Sequence, residues 1–351
     1  MAVPGAARNA LTIAGGGTKV RLRYFVALAG VIAVVFAVLW TVPADDFIFT
    51  PDRAKPLEGR VRVEGAKPVE DGDVYYVDVF VRRTTLLEQL LPFTRPDGAT
   101  VVPEQALLPP GTSDEERDRQ NAELMQQSEI IASAVALSAL DYDVRATPRG
   151  AIVTGVASDA PAAGRIEAGD VIVGVDGRAV KTPDELRREI GRRRPGEDVR
   201  LTVRRDGKQL ELVVGTIPNP AEPGRPIVGI QVDQDAKIEL PIDIDIDLGR
   251  VGGPSAGLPF ALEIARMLGR DVTHGCSIAA TGELALDGSV LSVGGLQQKT
   301  IGARRSDVDV FLVPAGENAA EARRHADGVT IVPVRSFQQA LQYLTTNPKK
   351  C

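Results

Sequence analysis

Residues 252–269 read GGPSAGLPFALEIARMLG, and this stretch decides how the C-terminal half of the chain is read. A strand-like segment, Lys237 to Leu248, precedes it, and the apolar residues after Gly257 recur at helical spacing. Ser255 therefore falls at a strand-to-helix turn, near a helix N-terminus. Glycines there permit close backbone approach and torsions closed to other residues. Free N–H groups of a first helical turn, aided by the helix dipole, can hold an oxyanion. Pro259 falls in that first turn, where a missing N–H costs little. Plain helix capping fits the same string, so on its own it leaves a nucleophilic serine and a structural turn both open.

Two further strings lie downstream. CSIAATGELALDG (276–288) reads as strand and turn and carries Thr281-Gly282-Glu283, and Gly294-Gly295-Leu296-Gln297-Gln298-Lys299-Thr300 opens a helix expected to run to about Arg305. The trio GPSAG, TGE and GG-hydrophobe-x-x-Lys, in this order and spacing, resembles the proteolytic domain of Lon proteases. The resemblance implies a Ser-Lys dyad, with Ser255 as nucleophile and Lys299 as general base. It further implies that Thr281 hydrogen-bonds and orients Lys299, and that the backbone N–H of Ser255, together with Gly253, forms the oxyanion hole.

The residues support this reading independently. A serine hydroxyl needs a neighbouring base, and neither of the two histidines, His274 and His325, lies in a similarly glycine-framed motif. A lysine at its usual pKa near 10.4 is neutral only about 0.04% of the time at pH 7. Acting as a base asks for a depression of about three pH units, or roughly 4 kcal/mol, which burial without a carboxylate partner can supply. Val293, Leu296 and Ile301 give Lys299 suitably apolar neighbours; the bland alternative is an exposed helical lysine. Many Lon-like proteases carry Asp three places before the serine, where this chain has Gly252. That departure touches regulation by such a carboxylate and leaves both dyad members in place. Asp243, Asp245 and Asp247 alternate with Ile242, Ile244 and Ile246, which puts acids on one strand face and isoleucines on the other. A straight strand is a poor calcium loop, so no metal site is expected, and Glu283 is read as structural.

Residues 144–217 have a rhythm of their own: a strand from Ala151 to Ala157, a second from Val171 to Val175, and an Asp176-Gly177 turn. A helix follows, capped by Thr182 with Pro183 at its first position and expected to reach Arg194, and then a hairpin about Asp206-Gly207. With the string AGDVIVGVDGRAV (168–180), this resembles a PDZ domain of the bacterial protease type. The resemblance implies a groove between the first strand and the helix, where a peptide end adds as a strand. Arg149, Gly150, Ala151 and Ile152 are the expected backbone side of that groove. Leu186 and Ile190, four apart on one helix face, are its side-chain pocket or else simply core.

Tyr24 to Val42 is a 19-residue run without charge, about 28 Å long as a helix and close to the hydrocarbon thickness of a bilayer. Lys19, Arg21 and Arg23 precede it, and Asp45 and Asp46 follow. The positive-inside rule then places the remainder outside the cytoplasm of a single-pass protein. A cleavable signal peptide ending near Val42-Pro43-Ala44 is the alternative. With the anchor and the PDZ module, the whole resembles the membrane-anchored, PDZ-containing Lon-like serine proteases of bacteria. The expected fold is α+β: a cytoplasmic tail (1–23), a transmembrane helix (24–42), a supporting strand-and-helix region (43–143), a PDZ domain (144–217) and a Lon-type proteolytic α+β domain (225–345). In the supporting region Val61 to Val63 and Val74 to Val81 are expected strands, and Ser113 the cap of a helix reaching Leu140.

The 351 residues carry a net charge of -6, against the basic surplus of a nucleic-acid binder. Two cysteines, Cys276 and Cys351, make neither a zinc cluster nor a disulfide framework; one bridge between them is open and is not expected. No G-x-x-x-x-G-K-[ST] motif occurs, since Gly295 to Thr300 reads GLQQKT, so no ATP hydrolysis and no cofactor are expected. Expected partners are polypeptides, selected or gated through the PDZ module by way of their C-termini, and the membrane. Lon-type domains often form rings, so a homo-oligomer is compatible by resemblance only. The competing function is a non-catalytic PDZ adaptor on an inactive protease-like scaffold.

Overall fold

A computed structural model describes residues 16–66, 72–107, 113–220, 222–249 and 251–346. Cys351 and residues 1–15 of the expected cytoplasmic tail lie outside them. The chain begins with helix α1 (Gly16–Thr41), then β1 (Pro43–Pro51), β2 (Lys55–Pro56), β3 (Val61–Val63), β4 (Asp73–Tyr76), β5 (Val79–Thr85), α2 (Leu86–Leu90), β6 (Thr100–Val102), α3 (Glu104–Leu107) and α4 (Asp114–Ala139). Next come β7 (Arg145–Val156), β8 (Val171–Val175), β9 (Arg178–Ala179), α5 (Pro183–Ile190), β10 (Asp198–Arg205), β11 (Lys208–Gly215), β12 (Ile217–Pro218), β13 (Pro226–Ile227) and β14 (Ile230–Glu239). The last part contains β15 (Ile244–Ile246), α6 (Gly257–Met267), β16 (Ser277–Ala280), β17 (Glu283–Leu284), β18 (Val290–Leu291), α7 (Leu296–Arg304), β19 (Val310–Pro314), α8 (Glu317–His325), β20 (Thr330–Val334) and α9 (Phe337–Thr346).

These elements form two compact units, one from residues 1–50 and 80–110, the other from residues 51–79 and 111–351. The smaller unit holds α1, the three-stranded sheet β5-β1-β6 and α2. Phe47, Ile48 and Leu87 are its fully buried side chains. A reciprocal capping box fixes the start of α2: Thr85 accepts from the Glu88 N–H, and the Glu88 carboxylate accepts from the Thr85 N–H. The expected single strand Val74–Val81 is in fact two, β4 and β5, in different sheets; the apolar run is interrupted by the charged Asp78.

In the larger unit, residues 145–239 build a sheet in the order β11-β10-β8-β7-β14, with β9 on β8 and α5 packed against it. Val153, Ile172, Leu186, Val199 and Leu201 fill the core. Asp206 and Gly207 both adopt positive φ in the β10–β11 hairpin, as a type I′ turn requires. Thr182 caps α5, accepting from the Glu185 N–H, but the helix stops at Ile190, four residues before the expected Arg194. The remaining residues form a five-stranded sheet, β2-β4-β16-β19-β20, in which β4, β16, β19 and β20 run parallel. Helices α6 and α4 share its main core with Leu57, Val74, Phe260, Leu312 and Phe337. The alternation at 242–247 is realised: Ile242, Ile244 and Ile246 pack on that core, while Asp245 is exposed and pairs with Arg62. No cluster of three or more His, Cys, Asp or Glu suited to a metal occurs among the described residues.

Candidate active site

Three short segments converge at the N-terminus of α6. Gly253, at φ 91°, turns the chain into a one-turn 3-10 helix, Pro254–Ala256, that runs straight into α6. Ser255 sits in this turn, half-buried and open to solvent on one side. The segment after β16 is tied to it by two backbone bonds, Gly282 N–H to the Ser255 carbonyl (2.9 Å) and Leu258 N–H to the Gly282 carbonyl (3.0 Å). From the third side, α7 delivers Lys299, which is only 3% exposed.

Lys299 Nζ lies 2.6 Å from Ser255 Oγ and 2.9 Å from Thr281 Oγ1. Thr281, fully buried, donates its hydroxyl hydrogen to the Ser255 carbonyl at 3.1 Å, so its oxygen is left as an acceptor for the lysine. The sequence reading placed all three residues together, and the structure brings them within hydrogen-bond reach. Burial lowers the Lys299 pKa to about 8, and the negative charge of Asp78 works in the opposite direction. Asp78 is tied through Oδ2 to Lys55 at 2.9 Å, and its buried Oδ1 has no hydrogen-bond partner among the described residues.

The sequence did not mark the support beneath the serine turn. Ser128 on α4 donates to the Pro254 carbonyl at 3.0 Å. The Asn121 carbonyl accepts from the Gly253 N–H at 2.8 Å. That second bond corrects the expectation for Gly253, whose N–H is committed to α4 and does not face an oxyanion. Ser255 keeps a first-turn N–H, which has no intrahelical acceptor. A Cβ on Gly252 would come within 2.8 Å of Asn121 Cβ, so the close passage of α4 favours glycine at this position. No local pattern in α4 signals this, because the contact joins residues more than a hundred positions apart. Glu283 is half-buried on β17, its carboxyl pKa raised first by burial and then by the charge of Asp233 on β14.

The expected peptide groove needs a larger correction. β7 is an interior strand: Ala151 pairs with Ile172 and Gln234, Ile152 with Val171 and Asp233, and Gly150 with Asp235. Arg149 makes an ion pair with Asp235 at 3.0 Å. Ala151 and Ile152 therefore offer no free sheet edge, Gly150 is paired on its β14 side, and Arg149 falls at the register shift between Asp235 and Ala236. Leu186 and Ile190 do line a groove, of about 420 Å³, whose other wall is Val228, Gly229, Ile230 and Val232 at the start of β14. β14 is the edge strand of the sheet, and it begins after the segment that the sequence reading ended as PDZ.

A serine and a buried amine in contact at a helix start, in a chain that also carries an edge-strand groove, describe a peptidase-type domain joined to a peptide-binding module. Residues 126–216 match the PDZ domain family, and residues 229–346 match the Lon protease (S16) C-terminal proteolytic domain. The chain thus carries a PDZ domain and a Lon-type serine peptidase domain. Similar proteins include a Lon protease of Mesomycoplasma hyopneumoniae, 35% identical over 96 residues (26% of this chain, 11% of that protein). A Lon protease of Buchnera aphidicola is 31% identical over 123 residues (34% and 16%), and Lon protease 2 of Bacillus subtilis 33% over 116 residues (33% and 20%). The matches span between 11% and 20% of these relatives' lengths.

Proposed function

We propose that the chain is an ATP-independent serine endopeptidase with a Ser255–Lys299 dyad, held at a membrane by α1 and acting outside the cytoplasm on polypeptides that its PDZ groove selects or gates. The observation that carries this reading is the 2.6 Å contact between Ser255 Oγ and a lysine only 3% exposed and shifted toward its neutral form. With neutral Lys299, the Ser255 hydroxyl proton passes to Nζ as Oγ bonds to the scissile carbonyl carbon. The resulting oxyanion is met by the Ser255 N–H and the positive end of α6. Protonated Nζ then gives its proton to the departing amine, and the C–N bond breaks to leave an acyl-Ser255 ester. Water, deprotonated by Lys299, hydrolyses that ester. Thr281 holds one Nζ hydrogen, which aims the nitrogen lone pair at Ser255.

The 351 residues contain no phosphate-binding loop motif, so substrates are unstructured or delivered by the PDZ groove between α5 and the β14 edge. Among the described residues one helix, with its window Tyr24–Thr41 apolar and none of it buried, is long and apolar enough to cross a membrane. The basic residues before it and the acidic ones after it support a cytoplasmic N-terminus. Cleavage of an unfolded polypeptide by purified wild type, Ser255→Ala and Lys299→Ala tests the dyad. Each variant is expected to keep its circular dichroism spectrum and lose turnover, roughly a hundred- to ten-thousand-fold for the lysine. Persisting turnover in Ser255→Ala overturns the dyad, and absence of turnover in the wild type leaves the PDZ domain on an inactive scaffold.

A further inference from the structure

We infer that the tip formed by Leu90, Leu91 and Phe93 is a second membrane contact, seated in the lipid interface beside the point where α1 leaves the bilayer. This rests on the reading of α1 as a membrane anchor. Among the described residues beyond Val42, Phe93 and Leu90 are the two most exposed large apolar side chains, at 82% and 64%. The tip is also a built structure. The Arg95 guanidinium donates through Nε to the Glu88 carbonyl at 2.8 Å, and Thr94 Oγ1 donates to the Leu91 carbonyl at 2.8 Å, so the chain closes on itself with the apolar side chains outward.

Its position follows from the fold of the smaller unit. The Leu86 N–H donates to the Val42 carbonyl at 3.1 Å, one residue past the end of α1, and α2 runs only five residues to Leu90. Leu90 is therefore within about 10 Å of the α1 exit at 1.5 Å per helical residue, and Phe93 follows three residues later. Residues 86–94 read LLEQLLPFT, and their one charge, Glu88, is paired with Arg82 at 2.6 Å and held ionised, with its pKa lowered to about 2. No unpaired charge lies within residues 86–94, and the Arg95 guanidinium that closes the tip adds a cation beside it. An apolar surface of this kind beside an exit point suits the headgroup–acyl boundary, where such elements sit about 5–10 Å deep. Trp40, also exposed, lies at the same end of α1, where aromatic side chains gather.

The chain contains a single tryptophan, Trp40, which makes the test direct. Full-length wild type and the double variant Trp40→Phe/Phe93→Trp are reconstituted into phosphatidylcholine–phosphatidylglycerol vesicles containing lipids brominated near the headgroup or deep in the chains. Phe93 is so exposed that the exchange leaves the fold intact, and unchanged thermal unfolding of the double variant checks this. The wild type reports on the α1 exit and the double variant, whose only indole is the one introduced on the tip, reports on the tip. The expected result is strong quenching of the tip indole by the shallow bromine label, with Trp40 of the wild type quenched as well. Quenched Trp40 with an unquenched, red-emitting tip indole overturns the tip contact and keeps the anchor. An unquenched but blue-emitting tip indole overturns it in favour of a protein partner such as a second copy. Loss of quenching in both proteins overturns the anchor and the tip together.

Discussion

Lys299 couples the chemistry of this chain to pH. Its folded pKa of about 8 lies below the usual 10.5 because burial penalises the ammonium form. With Lys299 as the general base proposed above, the active form is the neutral amine, so kcat/KM should rise with pH and level off above about 8, read from a pH–rate profile. Asp78 holds the lysine pKa up, so Asp78→Asn should move that acid limb to lower pH, whereas a merely structural role would leave its position unchanged. The stability consequence has a definite sign. A lysine whose folded pKa is depressed destabilises the fold fully below about pH 8, and the penalty fades as pH rises to 10.5. Denaturant unfolding of Lys299→Met against wild type should thus show an advantage at pH 7 that shrinks by about 3 kcal/mol by alkaline pH. Thr281→Val keeps the side-chain volume and removes the hydroxyl that aims Nζ, so kcat should fall with KM unchanged.

At the scale of elements, the serine turn is legible because its constraints are local. Glycines, Pro254 and the apolar period after Gly257 mark a turn entering a helix, and the same holds for Thr182 before α5 and Asp206-Gly207 in its hairpin. What stayed hidden depends on pairing across long sequence distances. β4 joins the protease sheet beside β16, some two hundred residues later, and α4 braces the serine turn through Ser128 and Asn121. β14 completes the PDZ sheet and turns the expected edge strand β7 into an interior one. A strand's sequence states which face is buried but not which neighbour it pairs with. The α4 brace makes its own prediction. Gly252→Asp forces the side chain against Asn121 and should lower both thermal stability and activity, measured on one preparation. On α6, the Glu263–Arg266 pair is 2–3% exposed. Glu263→Ala leaves a buried guanidinium uncompensated and should cost about 3–5 kcal/mol in urea unfolding.

Across the larger unit, β14 links the two proposed sites. Its first residues wall the groove opposite Leu186 and Ile190, its middle carries Asp233, whose charge acts on Glu283 two residues from Thr281, and its far end leads through β15 to the serine turn. On the function proposed above, a peptide added along this edge pairs with the strand that leads to the reaction centre, so its binding should alter turnover. The two roles separate by substitution. Ile230→Lys puts a charge into the half-buried groove wall and should weaken binding of a peptide with a free C-terminus, followed by calorimetry, while the Lys299–Ser255 contact is untouched. Ser255→Ala should do the reverse, with the binding affinity unchanged and cleavage lost. If Ile230→Lys instead binds peptide as the wild type does, the groove between α5 and β14 is not the recognition surface. If it loses peptide binding and, with it, hydrolysis of a short substrate that lacks a free carboxylate, then strand order and catalysis are coupled through β14 itself.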